Sequence, residues 1–388
     1  MRSCALFAAC LLLVLPSVCR AEGQDFTPEV KQLFRVVTCL GDAPLPAGIT
    51  PELLAPHCAA VSAMIAKYRR TYVEVAEPFL QTLQPKGLPD KVVYPFGGGD
   101  LLSALTTYPW AHEITTLSLE HPGDPRRLAT ITPKQLTQSL ELLRHTASGL
   151  LLANDSKTEN LMKGQRGELP GQLSFFMLAL AVHGYEPVGL RFFNLEPDGT
   201  LHYLSVEEIA EQEKKSAKLL RSGWTSPDFS EAFSRAELTF LKKGADPKTE
   251  LKTHRHFAEN LDDAHFGADL PLQKFLEARG PIVAMTKAAS YLLWRSNFSK
   301  IRDYLLDHME FMTSDSTGIP PRFVKPKGFT QQTFGAFSES FLPGAPEHNT
   351  AFAKLWKEQP ERKLAFRYGY LDGGHHFHLL ITRKGTKD

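Results

Sequence analysis

The stretch VVYPFGGGDLLSALTTYPWAHEITTLSLEHPG, residues 92–123, constrains the fold more than any other part of this chain. A β-branched run meets Gly97, Gly98, Gly99 and Asp100, an amphipathic stretch follows, and a second β-rich run ends on Glu120. Glycines allow a sharp turn and a close backbone approach, and the N-terminus of the helix that follows presents unsatisfied N–H groups. An acid ending the next strand is placed to accept hydrogen bonds from hydroxyls of a bound ribose. The segment therefore predicts strand, turn, helix and parallel strand, with Gly97, Gly98, Gly99, Asp100 and Glu120 as candidate cofactor-binding residues. The same residues serve equally well as a purely structural strand-to-helix turn.

Strands alternate with helices through most of the remaining chain. LPGQLSFFMLALAVHG reads as an apolar helix closed by Gly184, and VGLRFFNLEPDGTLHYLS as a hairpin across Pro197, Asp198 and Gly199. AELTFLKKG and TELKTHRHF flank a second turn, PIVAMTKAAS is a buried-strand candidate, and EFMTSDSTGIP is a strand running into a turn. KLAFRYGYL and HHFHLLITR read as a closing antiparallel pair across Asp372, Gly373 and Gly374. The expected fold is α/β, a Rossmann-like and mainly parallel sheet with antiparallel hairpin additions, occupying residues 89–388.

A helical N-terminal region precedes it, at residues 22–88. TPEVKQLFRVVTCLG has Thr27 as N-cap and Pro28 in the first turn, and Thr50 with Pro51 repeats the device before a long helical pattern. Residues 1–21 read as a cleaved secretory signal: Arg2 is followed by a short apolar run and Cys19-Arg20-Ala21 offers a cleavage site. That run is too short for a permanent membrane anchor. Neither Cys10 nor Cys19 stands in a lipid-attachment context. The expected location is periplasmic or extracellular. Of five cysteines only Cys39 and Cys58 lie beyond the signal, and an even pair in an exported chain predicts a disulfide between the two helices.

Without Arg2 and Arg20 the chain has 42 Lys and Arg against 43 Asp and Glu. That balance gives no electrostatic pull toward nucleic acid or an anionic membrane. No G-x-S-x-G elbow, G-x-x-x-x-G-K-[ST] loop or H-E-x-x-H is present. The groups His375, His376 and His378, and His254, His256 and His265 beside Asp262 and Asp263, lack a metal-binding spacing and read as solvated histidines.

In its strand, Gly-rich loop and acid-ended second strand the chain resembles the Rossmann-like class I methyltransferases. Their sheet closes with an antiparallel hairpin, for which residues 363–383 are the candidate. The chain departs from them in carrying G-G-G-D after Pro95 and Phe96 and in lacking a D/N-P-P-Y/F motif. YPFGGGDLLSALTTYP, MTKAASYLLW and SDSTGIP are also similar to a family of exported bacterial proteins of unknown function, with YPF-(G/S)-G-x-D and D-(S/D)-(S/T)-G-I-P turns. That resemblance implies that Asp100 and the turn at residues 315–320 share one surface.

Ligands of doubly wound sheets sit beyond the carboxyl ends of the strands. Asp100, Glu120, Lys287 and Asp315 fall at or after predicted strand ends, so they are the candidate catalytic residues, with Lys287 alternatively in a salt bridge. Two readings follow. One is a degenerate Rossmann-like module that binds a small molecule or an envelope protein. The other is an enzyme acting on a nucleotide-like or sugar-like ligand through Asp100, Glu120 and Asp315. The residues name neither a cofactor nor a ligand.

Overall fold

The computed structural model describes residues 23–153, 168–216, 230–287, 289–337, 346–369 and 377–385. The signal stretch, the turn at Asp372, Gly373 and Gly374, and His375 and His376 lie outside the described residues. Ten strands form one sheet: β1 (Lys91–Pro95), β2 (Glu113–Ser118), β3 (Tyr185–Leu195), β4 (Leu201–Tyr203), β5 (Arg235–Lys242), β6 (Lys252–Ala258), β7 (Ile282–Met285), β8 (Met309–Ser314), β9 (Phe329–Gly335) and β10 (His378–Lys384). Their order is β4-β3-β5-β6-β2-β1-β7-β8-β10-β9.

The five central strands, β6 to β8 in that order, pair in parallel, and both flanks pair antiparallel. After β1 the chain moves outward to β2 and later returns to β7 on the other side, so strand order reverses between β1 and β7. Parallel strands are covered on both faces and therefore read as continuous apolar runs. Val92 and Tyr94 enter one hydrophobic cluster and Val93 enters the other, as the pleat requires.

The first face carries α1 (Thr27–Thr38), α2 (Pro51–Tyr68), α3 (Glu74–Thr82), α4 (Leu101–Thr107), α5 (Pro133–Ala153) and α6 (Leu173–His183). The opposite face carries α7 (Leu270–Glu277) and α8 (Ser299–His308). The helical N-terminal region thus shares its hydrophobic cluster with the sheet. Helix α1 begins one residue earlier than the sequence suggests: Phe26 holds the N-cap position, and Asp25 Oδ1 accepts the Thr27 N–H at 3.0 Å. Thr50 does cap α2, accepting from the Leu53 N–H at 3.3 Å. Cys39 and Cys58 form the expected disulfide.

The closing pair is different from the expected hairpin. β10 lies between β8 and β9, antiparallel to both, with His378 opposite Gly335 and Lys384 opposite Phe329. Residues 363–367 form no strand, and Tyr368 makes only an isolated bridge to Phe377. Their aromatic side chains serve packing instead: Phe366 stands edge-on to Phe79 and Tyr72.

Candidate functional site

The Gly-rich turn leaves β1 through Phe96, which has a left-handed backbone (φ 61°), and passes Gly98 at φ 50°. Asp100 then ends the turn as the N-cap of α4, its Oδ1 accepting the Ser103 N–H at 3.0 Å. The Tyr94 hydroxyl donates to Asp100 Oδ2 at 3.1 Å. Lys287, delivered by the end of β7, places Nζ 3.6 Å from the same oxygen and donates to Ser103 Oγ at 3.2 Å. Asp100, Ser103, Tyr94 and Lys287 are all buried. Phe96 packs edge-on against Phe298, 5.8 Å between centroids, which closes the turn against the start of α8.

Asp315 follows β8 and is also buried. Its Oδ1 accepts the Thr317 N–H at 2.8 Å and the Thr317 hydroxyl. Burial, reinforced by Asp100, Tyr368 and Asp315, holds the Tyr94 phenol well above its ordinary pKa. Burial first, with Tyr72, Tyr108, Asp315 and Asp100 adding to it, does the same to Tyr368. The loops after β1 and β7 therefore bring Asp100 and Lys287 together, and the Tyr94 and Tyr368 phenols lie near enough to both Asp100 and Asp315 to feel their charge. These groups lie inside the protein, where the sequence suggested the rim of a crevice.

Glu120 has a different environment. Its side chain is 3% exposed, yet among the described residues neither carboxylate oxygen has a hydrogen-bond partner. Gln172, at the start of α6, is fully buried, and both polar atoms of its amide likewise lack a partner there. The segments are tied together: Gln172 N–H donates to the His121 carbonyl at 3.1 Å and Leu173 N–H to that of Pro122 at 3.0 Å. The Gln172 amide lies against Gly99, where a Cβ would collide with it and crowd Phe175 Cβ at 3.2 Å. Gly99 is thus a glycine that close approach requires, and Gly97, where a Cβ would stand 3.0 Å from the Tyr94 ring and carbonyl, is a second.

Beneath Glu120 runs a chain of neutral groups. His256 Nε2 lies 2.7 Å from the Glu120 backbone carbonyl, so that nitrogen carries the proton and donates. Its Nδ1 then accepts from Thr116 Oγ at 2.7 Å, and the same hydroxyl accepts from His254 Nε2 at 2.8 Å. Burial pushes the His256 imidazole down to about 4 and that of His254 well below the ordinary range. The expectation of solvated histidines on this strand is corrected: His254 and His256 face inward under Phe176, and His378 is also buried. No group of three metal-ligating side chains assembles among the described residues.

Gln172 and the Thr116 relay went unrecognised in the sequence. Gln172 had a signal, a lone amide in LPGQL at the head of an otherwise apolar helix. The relay had none, because only the pairing of β2 with β6 places Thr116 opposite His256. No protein-family model matches the chain, and no curated protein matches it.

Proposed function

We propose that this protein is an exported, non-catalytic Rossmann-like module that binds a hydroxyl-rich small molecule, ribose-like or sugar-like, through Glu120 and Gln172. The observation that carries this reading is the pair of buried side chains whose polar atoms have no partner among the described residues. Burying a carboxylate and an amide without hydrogen bonds costs several kcal/mol, on the order of 1–3 or more per group. A ligand with vicinal hydroxyls would donate to the acceptor-only carboxylate, and the amide would supply both donors and an acceptor. The position, just past the end of β2 and beside a glycine turn, is where doubly wound sheets receive ligands.

The parallel centre and antiparallel β8-β10-β9 flank support the resemblance to class I methyltransferases at the level of topology only. The likeness to exported proteins with YPF and GIP turns gains support from Asp100 and Asp315 lying near the same two phenols. Export itself draws support from the Cys39–Cys58 disulfide, a bond of oxidising compartments, and no helix among the described residues is long and apolar enough to cross a membrane. A catalytic role for Asp100, Lys287 and Asp315 has less support, because their polar atoms already have partners within the protein, whereas those of Glu120 and Gln172 have none among the described residues.

The test is a thermal-shift screen of the mature protein against nucleosides and nucleotides, S-adenosyl compounds, sugars and metal ions, followed by calorimetric titration of any compound that raises the melting temperature. A hydroxyl-bearing compound should stabilise the wild type and lose its effect in Glu120→Gln and Gln172→Leu. Indifference of the wild type to every compound, or full retention of the shift in both variants, defeats the reading.

A further inference from the structure

A basic groove lies along the amino-terminal edge of the parallel strands. It encloses about 1230 Å³. Its walls come from the loops before β1 and β7, the starts of β8 and β9, and the end of β10, which runs the opposite way. Five cations line it, Lys86, Lys91, Arg279, Arg383 and Lys384, against the two acids Asp90 and Glu310.

The pairing of these charges is uneven. Lys384 Nζ meets Glu310 at 3.0 Å, and Arg279 Nη1 meets Glu113 at 2.7 Å. The same Glu113 oxygen also serves Arg255 at 2.7 Å, so one carboxylate stands between two guanidiniums. Lys86, Lys91 and Arg383 stand in no salt bridge among the described residues. Of the lining acids only Asp90 is left to them, and it faces His112 at 3.6 Å. Three cations therefore share one carboxylate. Lys91 is also held in place, because its Nζ donates to the Arg279 carbonyl at 3.1 Å across the gap between β1 and β7. Lys86 and Arg383 are exposed.

Between the cations the surface is apolar and stiff, made by Pro85, Leu88, Pro89 and Pro281. Rigid walls lose little freedom when they are covered. No aromatic side chain is among the described lining residues, so nucleobases and other flat rings find no face to stack on. The volume exceeds the roughly 300–1,000 Å³ of a pocket for one small molecule. Lys86 and Lys91 belong to the β1 side and Arg383 to β10, three strand spacings away, or about 14 Å. An extended peptide covers that span in about four residues, and residues four apart on an extended chain share a face. Two carboxylates at that spacing, with apolar residues between them, match the charges and the ground between them.

We infer that this groove docks an acidic peptide segment of a partner protein, its carboxylates received by Lys86 and Lys91 at one end and by Arg383 at the other. The groove shares no residue with the Glu120 and Gln172 region at the opposite edge of the sheet, and it stands whether or not those bind a polyol.

Fluorescence anisotropy with the mature chain and a labelled ten-residue peptide, carrying two glutamates four residues apart in an Ala, Ser and Pro background, tests this. The peptide should bind, more weakly as salt rises, and its glutamine counterpart should bind at least about tenfold more weakly. An oligogalacturonate of equal charge should displace the label less well than the unlabelled peptide does. Arg383→Glu and Lys86→Glu, both at exposed positions and so compatible with folding, should each weaken binding about fivefold. Lys214→Glu, on the helix Val206–Ser216 beside β4 at the far flank of the sheet, should bind as the wild type does. No binding of the acidic peptide, equal binding of the glutamine counterpart, better displacement by the oligogalacturonate, unchanged binding in both groove variants, or an equal loss in Lys214→Glu would overturn the inference.

Discussion

Lys287 Nζ stands 3.6 Å from Asp100 Oδ2, with the two side chains 1% and 0% exposed, so the charge at the end of β7 is matched to the acid that caps α4. Breaking a buried pair by removing one partner leaves an uncompensated charge, which typically costs about 3–5 kcal/mol. Asp100→Ala also removes the N-cap bond to Ser103 and the acceptor for Tyr94. Urea unfolding should therefore place Asp100→Ala and Lys287→Met each several kcal/mol below the wild type. The double variant Asp100→Ala with Lys287→Met should lose less than the sum of the single losses. Additive losses would mean that the two groups do not act as a pair.

Reduction of the Cys39–Cys58 bond should lower stability. The disulfide closes a segment with a sequence separation of 19 residues between α1 and α2. On the chain-entropy model such a loop contributes about 3 kcal/mol. Melting the protein with and without reductant, and as Cys39→Ala with Cys58→Ala, should show a matching fall in both cases. A reductant effect that persists in the double variant would assign it to something other than this bond.

How much of this was legible in the sequence depended on the range of the interactions. β1, the glycine turn, α4 and β2 were readable because each carries its own chemistry: Val92 and Val93, Gly98 at a left-handed turn, and Asp100 capping three residues ahead. The disulfide was readable because only two cysteines, Cys39 and Cys58, lie beyond residue 21. The partner of β10 was not, since Gly335 is distant in sequence and the Asp-Gly-Gly turn pointed to a local hairpin. The alternation of His254, Arg255 and His256 read as a wet strand. β6 is instead central, with β5 and β2 on either side; Arg255 turns outward to Glu113 and Glu237 while the histidines turn inward, neutral. Composition alone cannot separate a neutral buried imidazole from a solvated one. Of the four acid and amine candidates, Asp100 and Lys287 meet at 3.6 Å, and their burial depends on how the loops close over one another, which no local stretch of sequence carries.

Acid should destabilise the protein through its buried histidines. Burial holds His256 down to about 4 and His254 well below the ordinary range, while in the unfolded chain both titrate near about 6.5. Below that value the unfolded state binds more protons than the folded one, so the stability present above it is lost progressively as pH falls toward the folded values. Between about pH 6.5 and about pH 5 each such histidine costs about 2 kcal/mol. His256→Gln should therefore be less stable than the wild type at neutral pH and lose about 2 kcal/mol less on acidification. Denaturant midpoints at the two pH values measure the difference. Parallel pH dependence in wild type and variant would show that folding does not shift the titration of His256.

A methyl group at Gly99 should disturb the binding region through Gln172. A Cβ there would run into the Gln172 amide and come within 3.2 Å of Phe175 Cβ, inside a wall formed by a fully buried helix. Overpacking of this kind costs about 1–3 kcal/mol, with the lower end available if the flexible amide swings away. Gln172 would then point its donors elsewhere, so Gly99→Ala should reduce the affinity for any ligand found in the thermal-shift screen by more than its modest loss of stability explains. Gly98→Ala provides the contrast. Its left-handed backbone would strain a β-carbon by about 1 kcal/mol while leaving the Gln172 amide where it is. If both variants unfold earlier but only Gly99→Ala loses the ligand, the glycine serves the approach of Gln172. Equal loss of ligand in the two would assign the binding effect to the turn's backbone shape.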